Sequence, residues 1–343
     1  MKVVIIATEA SGDYLGFHLI KSLRKKKKDI EIFGVGGKLM SRLYLKSWVS
    51  IKMFNTIGLV EVLVRILKFM KLLNFVEKKI REISPDILIT IDSPSFNYRL
   101  VKRLQDLRIN SKTKFIHYVA PTVWAWKEYR AKTFSIVYDY LFTLFKFENK
   151  FFKNFGLKTK WVGHQIFYEK KKIKKKKIIC LLPGSRETEI KKNMNVLKYV
   201  IPKLKNKFPK YKINILNFEH YTGMIRDIIS SNVEIITDFN LKQKSMMEST
   251  IAIAASGSVT LELSKYRTPT IVIYDTNIIT RMLIKSLVKV KYCSIINIFF
   301  KKEVIPELIF EKFSVSNLIY KFDDLMNSKS KLKKQIYHMK VFS

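Results

Sequence analysis

Cysteine is scarce: Cys180 and Cys293 are the only two, they lie far apart, and neither belongs to a CxxC pair. That arrangement suggests neither a disulfide framework nor a cysteine-based zinc site, and both residues read as reduced thiols. The five histidines are scattered without metal-ligand spacing, so no metal is expected. Long apolar runs are missing as well. Lysine or arginine interrupts each apolar stretch before it reaches the ~18–20 residues a spanning helix requires, which leaves peripheral contact as the route to a membrane. The apolar start at residues 1–7 runs into Glu9 and Asp13, too short and too acidic a context for a signal peptide, so a cytoplasmic location is expected.

Acidic residues are also few, with 28 Asp and Glu against 65 Lys and Arg, for a formal net charge of +37. Such an excess fits a polyanionic partner, either nucleic acid or an anionic bilayer. It equally fits a codon bias toward lysine that decorates solvated faces, because the excess is spread over the chain. A basic nucleic-acid-binding protein would draw on the lysine runs at residues 25–28 and 174–177. Arginine is scarce, however, no recognition motif is present, and the aromatics do not interleave with the lysines. No specific nucleic-acid partner is expected.

What is present is an ordered alternation. With 343 residues and 48% hydrophobic content, the chain can build a core in each of two domains. Short apolar runs at residues 3–7, 32–35, 87–91, 115–119 and 140–144 are separated by helix-length segments, the pattern of parallel strands joined by helical crossovers. A second series at residues 178–182, 213–216, 233–236, 251–254 and 270–273 repeats it. The expected fold is α/β, two doubly wound domains facing a central cleft. Their expected bounds are residues 1–168, a lysine-rich linker at 169–177, a second domain at 178–310 and a helical tail at 311–343.

Several strand ends carry residues suited to chemistry. Residues 9–13 (Glu9, Ala10, Ser11, Gly12, Asp13) form a small, acidic turn that reads either as a ligand loop or as a helix cap. It does not fit a dinucleotide fingerprint. Asp92 follows the run at 87–91 directly, where α/β proteins place catalytic groups; a capping role is the alternative. His117, Tyr118, Pro121, Trp124 and Trp126 crowd one strand end and loop, either lining a cleft or anchoring the loop by aromatic packing. In the second half, Gly184, Ser185 and Arg186 precede a helix start and suit phosphate oxygens. Ser256, Gly257 and Ser258 offer the same turn, with Glu262 placed to accept from ribose hydroxyls. Residues 59–76 form a broadly apolar helix with Glu61, Arg65, Lys68 and Lys71 on a narrow stripe, which reads as a core helix or as a segment lying in a bilayer interface.

Taken in order, EASGD at 9–13, FGVGG at 33–37, GLVEVL at 58–63, HYV.P.VWAW at 117–126, LPGSR at 182–186 and ASG...LE at 255–262 resemble the lipid A disaccharide synthase family from the first strand to about Asn297. The resemblance implies the two-Rossmann glycosyltransferase type B fold. It also implies an inverting reaction of UDP-2,3-diacylglucosamine with 2,3-diacylglucosamine 1-phosphate that releases UDP, with UDP-sugar as substrate and no cofactor. By residue, it implies Asp92 as base and Arg186 on the leaving phosphates. Glu9, Ser11, Gly12, Asp13, His117 and Trp124 fall on the acceptor side, and Gly184, Ser185, Arg186, Ser256, Gly257, Ser258, Glu262 and Asn297 on the UDP side. Because both substrates are lipids, Leu59, Val62, Leu63, Ile66, Leu67, Phe69 and Met70 are expected to contact the anionic cytoplasmic face of the inner membrane. A homodimer is a further expectation of the resemblance. Three positions depart from the family pattern: Thr8 replaces a glycine, Ser95 an acidic residue, and Ile296 a proline. A UDP-N-acetylglucosamine epimerase, or a transferase with another lipid acceptor, would share the UDP half.

Overall fold

A computed structural model describes residues 1–27, 29–43, 45–54, 62–124, 128–168, 174–276, 281–282, 285–286 and 290–343, and only the backbone of residues 62–66. The chain divides into two compact units, Met1–Gln165 and Ile166–Ser343.

The first unit holds a parallel sheet of β1 (Lys2–Ala7), β2 (Glu31–Val35), β3 (Ile87–Ile91), β4 (Lys114–Tyr118), β5 (Tyr140–Thr143) and β6 (Lys158–Trp161) in the order β2-β1-β3-β4-β5-β6. Helices cover both faces, which is why β1 is a continuous branched run buried from Val3 to Ala7 rather than an alternating one. On one face Val4, Ile6 and Leu88 join Leu72, Leu73, Val76 and Ile80 of the helix Val62–Ile83. On the other, Val3 and Ile5 pack with Leu15 and Ile20 of the helix Ala10–Lys26. Gly34 in β2 is obligatory, because its φ is 136° and a Cβ there would stand 1.9 Å from the Ile5 carbonyl oxygen.

The second unit has β7 (Lys176–Leu182), β8 (Lys212–Leu216), β9 (Glu234–Ile236), β10 (Ser249–Ala255), β11 (Thr270–Tyr274) and β12 (Glu307–Ile309) in the order β12-β11-β10-β7-β8-β9. Numbered within the unit this is 3-2-1-4-5-6, the order of dinucleotide-binding folds. The first unit runs 2-1-3-4-5-6 instead. The two units therefore share a class but not a topology, and the second series is not a strict repeat of the first.

Three expected boundaries move, the first unit ending at Gln165 where residue 168 is expected. The lysine-rich stretch does not extend to residue 177, since β7 begins at Lys176. Lys175 is anchored too, donating from Nζ to Met247 O (3.0 Å), Tyr266 O (3.0 Å) and Thr268 Oγ1 (2.6 Å). Burial lowers its pKa to about 7. Residues 169–173 lie outside the described residues. The region from residue 311 onward is not an appended tail. Leu318, Phe322 and Leu325 of the helix Val315–Met326 belong to the core of the second unit. From the helix Lys329–Phe342, Gln335 pairs with the backbone of Thr270, accepting from its N–H at 2.7 Å and donating to its carbonyl at 3.1 Å. Among the described residues no helix is long and apolar enough to cross a membrane.

Candidate active site

In the first unit the strand order reverses between β1 and β3, and open α/β sheets bind ligands outside the carboxyl ends of the strands at such a point. The loops that leave those two strands are tied together there. Ser11 Oγ donates to Asp92 Oδ2 at 3.1 Å. Thr8 Oγ1 donates to Ser93 Oγ at 2.7 Å, and Ser93 Oγ donates in turn to Glu9 Oε1 at 2.5 Å. Thr8, one of the departures from the family pattern, is thus integrated into this network. Ser95 is exposed, and its carbonyl accepts from Arg99 Nη1 at 2.8 Å.

Asp92 and Ser93 both adopt left-handed backbone, with φ of 54° and 41°, and Val119 at the end of β4 has φ 80°. Such conformations cost of order 1–3 kcal/mol each and persist where the surroundings impose them. Here the Asp92 N–H donates to Tyr118 O (2.9 Å), the Ser93 N–H to Asp92 Oδ1 (2.9 Å), and Asn97 Nδ2 to Asp92 O (2.7 Å). Pro94 then opens the helix Pro94–Arg103 with its φ already set. The result is a half-buried carboxylate held at the end of β3.

Four residues expected on the acceptor side are placed otherwise. Asp13 is buried, and its carboxylate accepts from the N–H groups of Gly37 (2.8 Å), Leu39 (2.9 Å) and Met40 (3.0 Å), so it caps the short helix Lys38–Ser41. Gly12 is buried, and a Cβ there would lie 3.3 Å from Ala7 Cβ; its role is to let the helix approach β1. His117 is fully buried beside Phe134 and Tyr138, with Nδ1 2.7 Å from Thr90 Oγ1, and burial lowers its pKa to about 3. Trp124 serves as an anchor: its indole N–H donates to Glu148 Oε1 at 3.3 Å, and its ring meets Phe147 edge-on. Burial raises the Glu148 pKa to about 7. Trp126 lies outside the described residues.

In the second unit the order reverses between β7 and β10, and a pocket of about 270 Å³ opens at their carboxyl ends. Gly184, Ser185, Ser256, Gly257, Ser258 and Glu262 line it. Gly184 has φ 129°, and a Cβ on it would strike Glu189 Oε2 at 2.4 Å. The same oxygen accepts from the Ser185 N–H at 3.0 Å, so this loop amide is not free, and a carboxylate stands beside the position expected for phosphate. Arg186 begins the helix Glu187–Lys207 as its N-cap residue, and its guanidinium is exposed with no hydrogen bond or ion pair among the described residues. Burial raises the pKa of Glu262, against the pull of Lys265 and Lys242.

Asn297 is not in this pocket. It is fully buried, with Nδ2 donating to Ile305 O and Glu307 Oε1 (both 2.7 Å) and Oδ1 accepting from Val304 N (2.7 Å) and Ile305 N (2.9 Å). Its hydrogen-bonding capacity is spent on the chain leading into β12. Its neighbour Ile296, where the family pattern has proline, is a fully buried core residue. Conversely, Asn217, Phe218, Phe239, Lys242 and Gln243 line the pocket without having drawn attention in the sequence. Lys242 lies over the Phe218 ring at 4.6 Å and donates to Asn217 O at 3.2 Å. The available signal was position, since Asn217 follows directly on the apolar run that ends at Leu216.

Of the expected membrane-contact side chains, Leu67 (63% exposed) and Met70 (36%) face solvent, joined by Phe75 (41%). Phe69 does not; it packs edge-on against Phe96 and under Arg99. Leu59 and the side chains of Val62, Leu63 and Ile66 lie outside the described residues. Among the described residues, no three His, Cys, Asp or Glu side chains cluster as metal ligands would.

Known proteins align with this arrangement along its length. A profile of the family described as Lipid-A-disaccharide synthetase matches residues 3–343. The Lipid-A-disaccharide synthase of Rickettsia prowazekii is 35% identical over 357 residues, covering 99% of this chain and 92% of that protein. That of Rickettsia felis is 36% identical over 357 residues, with 99% and 90% covered. Among solved structures, the S. aureus MnaA–UDP co-structure superposes with a TM-score of 0.65 at 12% identity, over 98% of this chain and 90% of that one. The UDP-GlcNAc 2-epimerase from Neisseria meningitidis bound to UDP-GlcNAc gives 0.62 at 14%, over 99% and 98%. CalG4, the calicheamicin glycosyltransferase, gives 0.61 at 9%, over 99% and 93%. At these identities the structural likenesses bear on the fold alone, two Rossmann-like domains of the glycosyltransferase type B kind that epimerases share. Sequence separates the two activities, because the match to the synthases runs through both units nearly end to end: this chain belongs to the lipid-A-disaccharide synthetase family.

Proposed function

We propose that the protein is an inverting hexosyltransferase that joins UDP-2,3-diacylglucosamine to 2,3-diacylglucosamine 1-phosphate. The acceptor 6-hydroxyl attacks the anomeric carbon of the donor sugar, the bond from that carbon to the β-phosphate oxygen breaks, and UDP leaves. The product is the β(1→6)-linked disaccharide 1-phosphate. One observation carries the assignment of roles: a carboxylate, Asp92, is held by strained backbone at the switch point of the first sheet. A base is needed to take the proton of the attacking hydroxyl, and Asp92 is the residue we assign to it. Ser11 and the Ser93 N–H orient its two oxygens.

In the second unit the pocket at the ends of β7 and β10 would hold UDP, with Glu262 accepting from ribose hydroxyls. The exposed Arg186 guanidinium would meet the charge that develops on the departing diphosphate. Leu67, Met70 and Phe75, with the surrounding lysines, would dock the protein peripherally on the anionic cytoplasmic face of the inner membrane, where the acylated substrates reside.

The test is UDP release from UDP-2,3-diacylglucosamine in mixed micelles, with and without 2,3-diacylglucosamine 1-phosphate. Acceptor-dependent release that Asp92→Ala and Arg186→Ala each reduce by about 100-fold or more supports the reading. A folded native chain that binds UDP but releases none with this acceptor would overturn it.

A further inference from the structure

The second unit has another pocket, of about 250 Å³, that shares no lining residue with the nucleotide pocket. Its walls come from the loop before β12, the helix Val315–Met326 and the helix Lys329–Phe342. Four lysines line it, Lys302, Lys321, Lys331 and Lys334, against two carboxylates, Glu303 and Asp324, so its lysines outnumber its carboxylates by two. Lys331 pairs with Asp324, and Lys302 lies over the Phe300 ring at 5.8 Å. Lys321 and Lys334 have no ion-pair partner among the described residues.

The floor is fixed. Gln335 is buried and donates to Val304 O at 3.3 Å and Thr270 O at 3.1 Å, which ties the last helix to the loop and to β11. His338 is held by its Nδ1, 2.7 Å from Lys334 O, and by edge-on contact with Phe300 at 4.8 Å. A concavity lined by ammonium groups without ion-pair partners among the described residues lowers its energy by taking up a compact anion, and each lysine offers up to three donors. The volume lies below the roughly 300–1,000 Å³ of pockets that enclose a drug-sized ligand, which points to a small group.

We propose that this pocket binds a phosphate group through Lys321 and Lys334, separately from the nucleotide. The group is either free inorganic phosphate or the phosphomonoester headgroup of a lipid.

The experiment uses the full chain, its Lys321→Gln/Lys334→Gln variant and its Lys321→Arg/Lys334→Arg variant. Calorimetric titration with inorganic phosphate is run at constant ionic strength in the presence of saturating UDP, which keeps phosphate out of the nucleotide pocket. Vesicles of phosphatidylcholine, with and without phosphatidic acid, form the second arm, and phosphatidylglycerol vesicles of equal charge control for diffuse attraction. Saturable phosphate binding that weakens at least about tenfold in the glutamine variant and is retained in the arginine variant identifies free phosphate as the ligand. The same pattern confined to phosphatidic acid vesicles identifies the lipid headgroup. UDP affinity unchanged in the variants shows that the fold survives. Equal binding by native and glutamine-substituted chains in both arms overturns the proposal.

Discussion

The side chain of Asn97 donates to the carbonyl oxygen of Asp92 at 2.7 Å, and through this bond the first turn of one helix holds the left-handed end of β3. The same nitrogen reaches Ile91 O at 3.3 Å, and the residue is fully buried. Asn97→Ala removes this side-chain donor from both carbonyls, one of them at the left-handed Asp92. Urea denaturation should show a loss of about 1–3 kcal/mol. The rate of UDP release should fall about 10- to 100-fold with little change in KM, because the defect lies in the aim of Asp92 and not in substrate affinity.

Glu148 makes stability depend on pH. Its folded pKa of about 7 stands above the ordinary value of 4.5, because burial disfavours the carboxylate more than the Phe145 N–H and the Trp124 indole favour it. Between those two values the native state holds a proton that the unfolded chain has released. Its contribution is therefore fully present below about 4.5 and is lost as pH rises through about 7. Denaturation midpoints of the native chain and Glu148→Gln, compared at about pH 5 and about pH 8, should show the native chain losing more stability on the alkaline side than the variant does.

Glu189 accepts from the Ser185 N–H with the oxygen that also crowds Gly184. Glu189→Gln keeps an acceptor for that amide while removing a negative charge beside the proposed diphosphate position. UDP affinity, measured by calorimetry, should rise about fivefold, and the gain should shrink at high salt.

Leu67→Ser/Met70→Ser should lower binding to anionic vesicles about tenfold or more in co-sedimentation, since each substitution removes an exposed apolar side chain from the same helix. Thermal unfolding should stay within about a degree or two, because neither side chain is in the core.

Much of the fold was legible because parallel strands buried on both faces announce themselves as unbroken apolar runs; β1, β3 and β10 are the plainest cases. The two strands that no run announced, β6 (KTKW) and β12 (ELI), each lie at one edge of their sheet. In β6 Lys158, Lys160 and Trp161 are exposed, so polar residues suffice there, while β12 is only three residues long. At the site, position relative to a strand end marked Asp92, Ser185 and Ser256. It could not separate residues that face a ligand from those that brace the loop. Asp13, His117 and Asn297 carry the chemistry of ligands but spend it on backbone or neighbouring side chains, and that distinction depends on partners distant in sequence. Asn297 is bound by residues 304, 305 and 307. His117 is held by Thr90.

The outer strand β6 also gives part of the lysine excess a physical consequence. Lys158 and Lys160 are exposed along an open parallel edge whose outward N–H and C=O groups have no strand partner among the described residues. A second chain adding itself there would bring its own cationic side chains alongside, and the repulsion opposes the edge-to-edge stacking that starts aggregates. Charge placed along this edge thus opposes edge-to-edge association, and its effect should weaken as salt shortens the reach of the repulsion.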